Sequence, residues 1–409
     1  MIQPEHGTVQ FNYLFGLLNA VAVFLLVWLF WYIFMDPNGI MGLYTPMYGF
    51  ALVVTAVAVV LMIIEIANFY PFPEKGSSSS PVLRGITLTV VAGALTLIVY
   101  YFIFWGFIGK YGIAYFSPQS IIASGGTGAE LFPARENASQ AIVYFFTGFI
   151  WMALFFRTGF ADWPWQNNER GTAAFSRLFA VVFLSVIIFA VLFHPHVCHL
   201  FYPAQDKAGV YPWWADFAGT SSAFFSLGII LSTIFWLVCF GFLWEGRPFT
   251  LFETSRHGNL WKGVAVFVFS VLLGILMVYI LTRIMNQFWD TPFMGGQYTD
   301  APDYRFLHSA EIASFFILAA FLLKHYFNNF PNTGPPIVRT SARTGLSIIG
   351  GILLYLFYYS SLSNIIFGRV PGYGQPEDTP IVWIFMFAVI ILIQMEFFEG
   401  WPLKKATGN

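Results

Sequence analysis

Charge is what this sequence has least of. Of its 409 residues only 10% are Asp, Glu, Lys or Arg, against about 25% in a typical soluble domain. The net charge is −1, so there is no basic surface of the kind that binds nucleic acid, and no nucleic-acid partner is expected. Cysteine is nearly absent. Cys198 and Cys239 are too few to build a disulfide framework. No basic stretch precedes the first apolar run, and that run is too long for the core of a cleaved leader, so it is expected to remain as a membrane span. Also missing are a glycine-rich phosphate loop, a nucleophile elbow, a His-Glu-x-x-His helix and a Cys-x-x-Cys-His haem attachment. No apolar run is broken near its centre by a Gly-Pro pair, the usual pointer to the binding site of a carrier.

What fills the chain instead is apolar and aromatic. Hydrophobic residues make up 58% of it, and there are 49 Phe. A helix needs about 20 apolar residues to cross a bilayer core. Ten runs meet that length, at 12–35, 47–70, 85–108, 139–157, 174–194, 219–243, 260–284, 308–328, 345–367 and 380–399. Inside lipid every backbone N–H and C=O must find a partner within the protein, and helices do this segment by segment. The expected fold is therefore all-α: a polytopic membrane bundle of about ten transmembrane helices in a single domain. Membrane lipids are its first partners, with other membrane subunits or further copies of the chain as possible ones.

One turn occurs five times. An apolar run ends in an aromatic-proline or basic-proline corner: Tyr70-Pro71, Trp163-Pro164, Arg247-Pro248, Phe330-Pro331 and Trp401-Pro402. After the first four corners a polar segment follows, and a basic residue beside or near a glycine opens the next run: Arg84-Gly85, Arg170-Gly171, Lys262-Gly263 and Arg343-Thr344-Gly345. The prolines are 93, 84, 83 and 71 residues apart. Such periodicity points to a tandem array, here of five helical hairpins at about 1–75, 76–165, 166–248, 249–331 and 332–409. Lys110, Arg135, Lys207, Arg283, Arg305 and Arg369 lie on the side away from the proline corners, and the other 13 of the 19 basic residues lie on the corner side. The positive-inside rule then predicts that the corners and both termini are cytoplasmic, in a bacterial inner membrane.

The most unusual text follows the fifth run: Phe193-His194-Pro195-His196-Val197-Cys198-His199. His308 opens the eighth run on the same side, with Asp303 before it and Glu311 one turn further in. Imidazole suits Zn, Cu, Fe or Ni, and thiolate shifts the preference toward Cu(I) or Zn. His194, His196, His199 and His308 are thus candidate ligands for a Cu, Fe or Zn ion at the outer face, with haem as an alternative group. Asp303 and Glu311 are candidates for orienting a ligand or moving protons. A second set, Glu65, Arg157, Lys324 and Glu396, lies six or seven residues before corner prolines. About two turns from the surface, these four read as a structural charge belt in which a glutamate pairs with Arg157 or Lys324.

These features rank the functions. The leading one is a metal-dependent membrane oxidoreductase, or the membrane subunit of a redox complex, acting on a small apolar substrate or a quinol. A permease or channel of tandem hairpins is the second, and a non-catalytic scaffold the third.

Overall fold

The computed structural model describes residues 7–36, 39–42, 46–76, 80–110, 114–123, 130–161, 163–193, 197, 221–254, 258–288, 303–367 and 380–402. Among these residues the chain is helical and has no strand. Ten helices are long and apolar enough to cross a membrane: span 1, Tyr13–Met35; span 2, Tyr48–Ile66; span 3, Pro81–Ile108; span 4, Leu131–Phe160; span 5, Arg170–Phe193; span 6, Ala223–Leu243; span 7, Gly258–Met285; span 8, Phe306–His325; span 9, Pro336–Tyr358; span 10, Pro380–Phe397.

Local chemistry explains where several of them start. Proline takes the first turn of spans 3 and 9, where its missing N–H costs nothing, and Ser80 caps span 3 by accepting from the Leu83 N–H at 3.3 Å. Inside the spans, hydroxyls are satisfied by the preceding turn. Thr55, Thr147 and Ser185 donate to Ala51, Val143 and Val181 at 2.6 to 2.7 Å.

The spans sort by parity. In the even-numbered spans 61–89% of the central window is buried; in the odd-numbered ones 22–33%. The even spans close a ring in which 2 packs on 4, 4 on 6, 6 on 8, 8 on 10, and 10 on 2. Each odd span lies outside that ring. Span 3 packs on span 2 and on the end of span 10, span 5 on span 4 and the end of span 2, span 7 on span 6 and the end of span 4, and span 9 on span 8 and the end of span 6. Span 1 packs on span 10 and, through Gly16, on the end of span 8; a Cβ at Gly16 would lie 2.6 Å from the Tyr326 carbonyl oxygen.

The five corners share one backbone geometry. All five X–Pro bonds are cis. The residue three before each proline is left-handed: Asn68, Ala161, Glu245, Asn328 and Glu399, with φ between 46° and 58°. At each corner the N–H just before the proline donates to the carbonyl three residues back, at 3.0 to 3.1 Å. Spans 2, 4, 6 and 10 enter the corner through a five-residue π-helical turn: Met62–Ile66, Phe156–Phe160, Cys239–Leu243 and Ile393–Phe397.

Spans 9 and 3 meet these corners through a buried cation. Arg343 of span 9 donates to the Leu243 carbonyl (2.7 Å) and to Glu245 (2.8 Å) at the end of span 6. Arg84 of span 3 donates to the Glu396 and Phe397 carbonyls (2.8 and 2.9 Å) and lies 3.7 Å from Glu399, at the end of span 10. Lys262 and Arg177 are buried on spans 7 and 5. Arg177 departs from the sequence pattern, which marks Arg170. Arg170 is instead exposed, reaching the Asn68 and Phe72 carbonyls and Glu74. The buried cation of span 5 is the residue seven positions later, Arg177.

Candidate functional site

Two of the predicted site residues meet. His308 and Glu311 are three apart on span 8, hence on one face of the helix. His308 Nδ1 lies 2.6 Å from Glu311 Oε2. Both are buried, at 4% and 3% exposure. A third group reaches them from the end of span 9: the Tyr359 hydroxyl donates to the same Glu311 oxygen at 2.7 Å and lies 3.3 Å from His308 Nδ1. The next residue of span 8, Ser309, shares a hydrogen bond of 3.1 Å with Thr282 of span 7. Three spans are thus tied together beside the cluster.

With Nδ1–H turned to a carboxylate, Nε2 becomes the basic nitrogen of the ring, the one suited to hold a metal ion or take a proton. A carboxylate on the far nitrogen is also the usual support of a metal-ligating histidine. Glu311 stands in that relation to His308.

The other candidates distribute differently. Asp303 is the first residue of the helix that carries His308. His194, His196 and His199 lie outside the described residues. Phe193, which precedes them, is buried and stacks on Tyr144 of span 4 with ring centroids 4.3 Å apart. Span 5 packs on spans 4 and 6, and span 6 packs on span 8. Among the described residues no three His, Cys, Asp or Glu side chains gather as a metal site. Cys239 is buried in span 6 with a free thiol.

The charge belt is made of pairs, not all of them the expected ones. Arg157 lies 3.4 Å from Glu65, joining spans 4 and 2. Glu396 pairs with Lys75 at 2.8 Å. Lys324 is half-buried on span 8 and acts on Glu245, whose carboxyl is held below the ordinary range first by the Arg343 hydrogen bond.

Tyr359 is the residue that sequence reasoning missed. Its signal was the polar break Tyr358-Tyr359-Ser360-Ser361 at the end of an apolar run, which reads as an ordinary interfacial belt. Beside the cluster lies a cavity of about 710 Å³ between spans 6, 7, 8 and 9, bounded by Trp236, Met277, Met285, Ile312 and Tyr355 among others. A smaller pocket of about 30 Å³ lies among side chains of all five even spans.

No family model, curated protein or solved structure matches this chain.

Proposed function

We propose that the chain is a metal-dependent membrane oxidoreductase, or the membrane subunit of a redox complex, that acts on a small apolar substrate or a quinol. The observation that carries this reading is the buried His308–Glu311–Tyr359 cluster; among the described residues the other buried acidic and basic side chains, Arg84, Arg177, Lys262, Arg343 and Glu399, lie toward the corner ends of their spans. Ionisable residues inside a membrane are costly and mark functional positions by default. His308 and one or more of His194, His196 and His199 would hold a Cu or Fe ion. Glu311 would fix the His308 ring, and Asp303 would serve as a second carboxylate at the mouth.

For a quinol the change is the loss of two protons and two electrons. A Cu or Fe ion held by His308 and the histidines after span 5 would supply the one-electron chemistry, with a one-electron acceptor outside the bundle as the final oxidant. The protons leave at the face away from the corners. The recurring corner geometry supports five tandem hairpins, and the excess of basic residues on the corner side supports a cytoplasmic location for the corners and both termini. A bacterial inner membrane fits that topology.

The test is metal content and the visible spectrum of the purified protein, before and after His196→Ala, His199→Ala and His308→Ala. About one equivalent of Cu or Fe, lost in the variants, is expected. A colourless preparation free of metal, with the same composition in the variants, overturns the reading.

A further inference from the structure

Positive charge collects where span 8 turns into span 9. Between Glu311 and Glu377 the chain has no Asp or Glu at all. The same stretch carries Lys324 at the end of span 8, and Arg339 and Arg343 early in span 9. The three earlier segments that lead from a corner proline to the next span each hold a carboxylate of their own: Glu74, Glu169 and Glu253. The segment from Pro331 to Pro336 has none.

The fold brings these cations to a single carboxylate borrowed from the preceding hairpin. Arg343 donates to Glu245 at 2.8 Å, Arg339 Nη1 lies 3.9 Å from it, and Lys324 acts on it from span 8. Arg343 is fully engaged in the fold: it is buried, and it also donates to the Leu243 and Pro331 carbonyls and to Asn332. Arg339 is held far more loosely. Its distance to Glu245 is too long for a hydrogen bond, its contact to the Asn332 carbonyl is 3.4 Å, and its Nε has no partner among the described residues. Other corners balance. Arg157 and Arg170 face Glu65 and Glu74 at the end of span 2, and Lys75 and Arg84 face Glu396 and Glu399 at the end of span 10. Here three cations share one carboxylate.

Two further features say what kind of anion fits. Span 9 begins at Pro336 with no side-chain cap, so the positive end of its dipole adds to the same corner. Ile337 and Val338, just before Arg339, are largely exposed. A small free anion needs the cations but has no use for the apolar neighbours. An acidic phospholipid uses both, because basic groups at the end of a span meet its phosphate while apolar surface meets its chains.

We propose that the start of span 9 binds the phosphodiester of an acidic phospholipid in the leaflet on the corner side, with Arg339 and Lys324 as its charge partners and Glu245 as the competing carboxylate. The site goes beyond the oxidoreductase reading and does not depend on it, since Tyr359 lies at the other end of the same helix.

The experiment titrates the full chain, in a neutral detergent, with phosphatidylglycerol and counts bound lipid by native mass spectrometry. Phosphatidylglycerol is expected to bind about tenfold tighter than phosphatidylcholine with the same chains. Arg339→Gln and Lys324→Gln should each weaken it about fivefold, while gel filtration shows an intact protein. Glu245→Gln should tighten it about threefold by removing the rival anion; a cluster that serves only the fold would not respond in that direction. Arg170→Gln, at the balanced end of span 2, should leave the affinity unchanged. Glycerol 3-phosphate in excess should not displace the lipid. Equal affinity for the two lipids, or binding unchanged in both Arg339→Gln and Lys324→Gln, overturns the site. So does an equal loss in Arg170→Gln, which would mean a diffuse basic surface, or weaker binding in Glu245→Gln. Displacement by glycerol 3-phosphate would make it a site for free phosphate and overturn the lipid.

Discussion

Arg343 sets its guanidinium 2.7 Å from the carbonyl oxygen of Leu243, one hundred residues earlier in the chain. The last carbonyls of a helix have no partner within it, and here a cation from another span supplies one. The same group also holds Glu245 at 2.8 Å. Arg84 repeats the arrangement at Phe397 and Glu399. Arg343→Met should therefore loosen span 9 from span 6, at a cost of about 2 kcal/mol for the lost acceptor contacts. Thermal unfolding in detergent measures it, and an unchanged midpoint would remove the capping role.

The pH dependence of that contact follows from Glu245. Arg343 holds its carboxyl pKa down, so the folded state favours the charged form. The stabilisation is present above the unfolded-state pKa of about 4.3 and disappears as pH falls through the lower folded value. The difference in melting temperature between wild type and Glu245→Gln should be constant from pH 7 to 5 and close below about pH 4. Glu245 is partly exposed, at 43% of its side chain, so the difference should be modest. A gap that widens on acidification contradicts the assignment.

Gly263 is where span 7 meets the end of span 4. A Cβ there would lie 2.2 Å from the Phe160 ring. Gly263→Ala should destabilise by about 1–3 kcal/mol through overpacking. Gly93 is the control: it is helical, in span 3, and a Cβ added to it would meet nothing within 4 Å. Gly93→Ala should be neutral or slightly stabilising. Equal effects at the two positions would mean that close approach at Gly263 is not what holds the spans together.

Ala161 carries a left-handed backbone, φ 46° and ψ 52°, at its corner. A side chain in this region costs about 1–2 kcal/mol, and glycine gives part of that back as unfolded-state entropy. Ala161→Gly should raise stability by about 0.5–1 kcal/mol. The same reasoning makes Gly400→Ala, at φ 84°, destabilising. Denaturant midpoints for the pair should move in opposite directions.

Glu311 is the shared acceptor of the candidate site. Glu311→Gln and Tyr359→Phe act on one hydrogen-bond network, so their effects on stability should not add. A coupling of about 1 kcal/mol is expected in a double-mutant cycle. A cycle that closes to zero would separate the two groups.

Much of the fold was legible in advance. Span 1 was expected at 12–35 and lies at Tyr13–Met35; span 6 was expected at 219–243 and lies at Ala223–Leu243. The five prolines marked the places where the backbone turns. His308 and Glu311 were legible as a pair because three-residue spacing on a helix is enough to align them. Tyr359 was not, since its partners lie about fifty residues away and its neighbours read as interface.

Length and apolar content by themselves determined that the chain crosses a membrane as helices, because lipid offers the backbone no hydrogen bonds. They did not determine which helices stand inside. The hydropathy of the even spans, 1.6 to 2.6, falls within that of the odd spans, 1.3 to 2.9, so no gradient of apolarity assigns them. Lipid is as apolar as leucine, and association in it is decided by fit: glycines that admit a neighbouring ring, and buried cations that meet helix ends. That fit exists only once distant segments are in contact, and it alone made the ring and its outer belt.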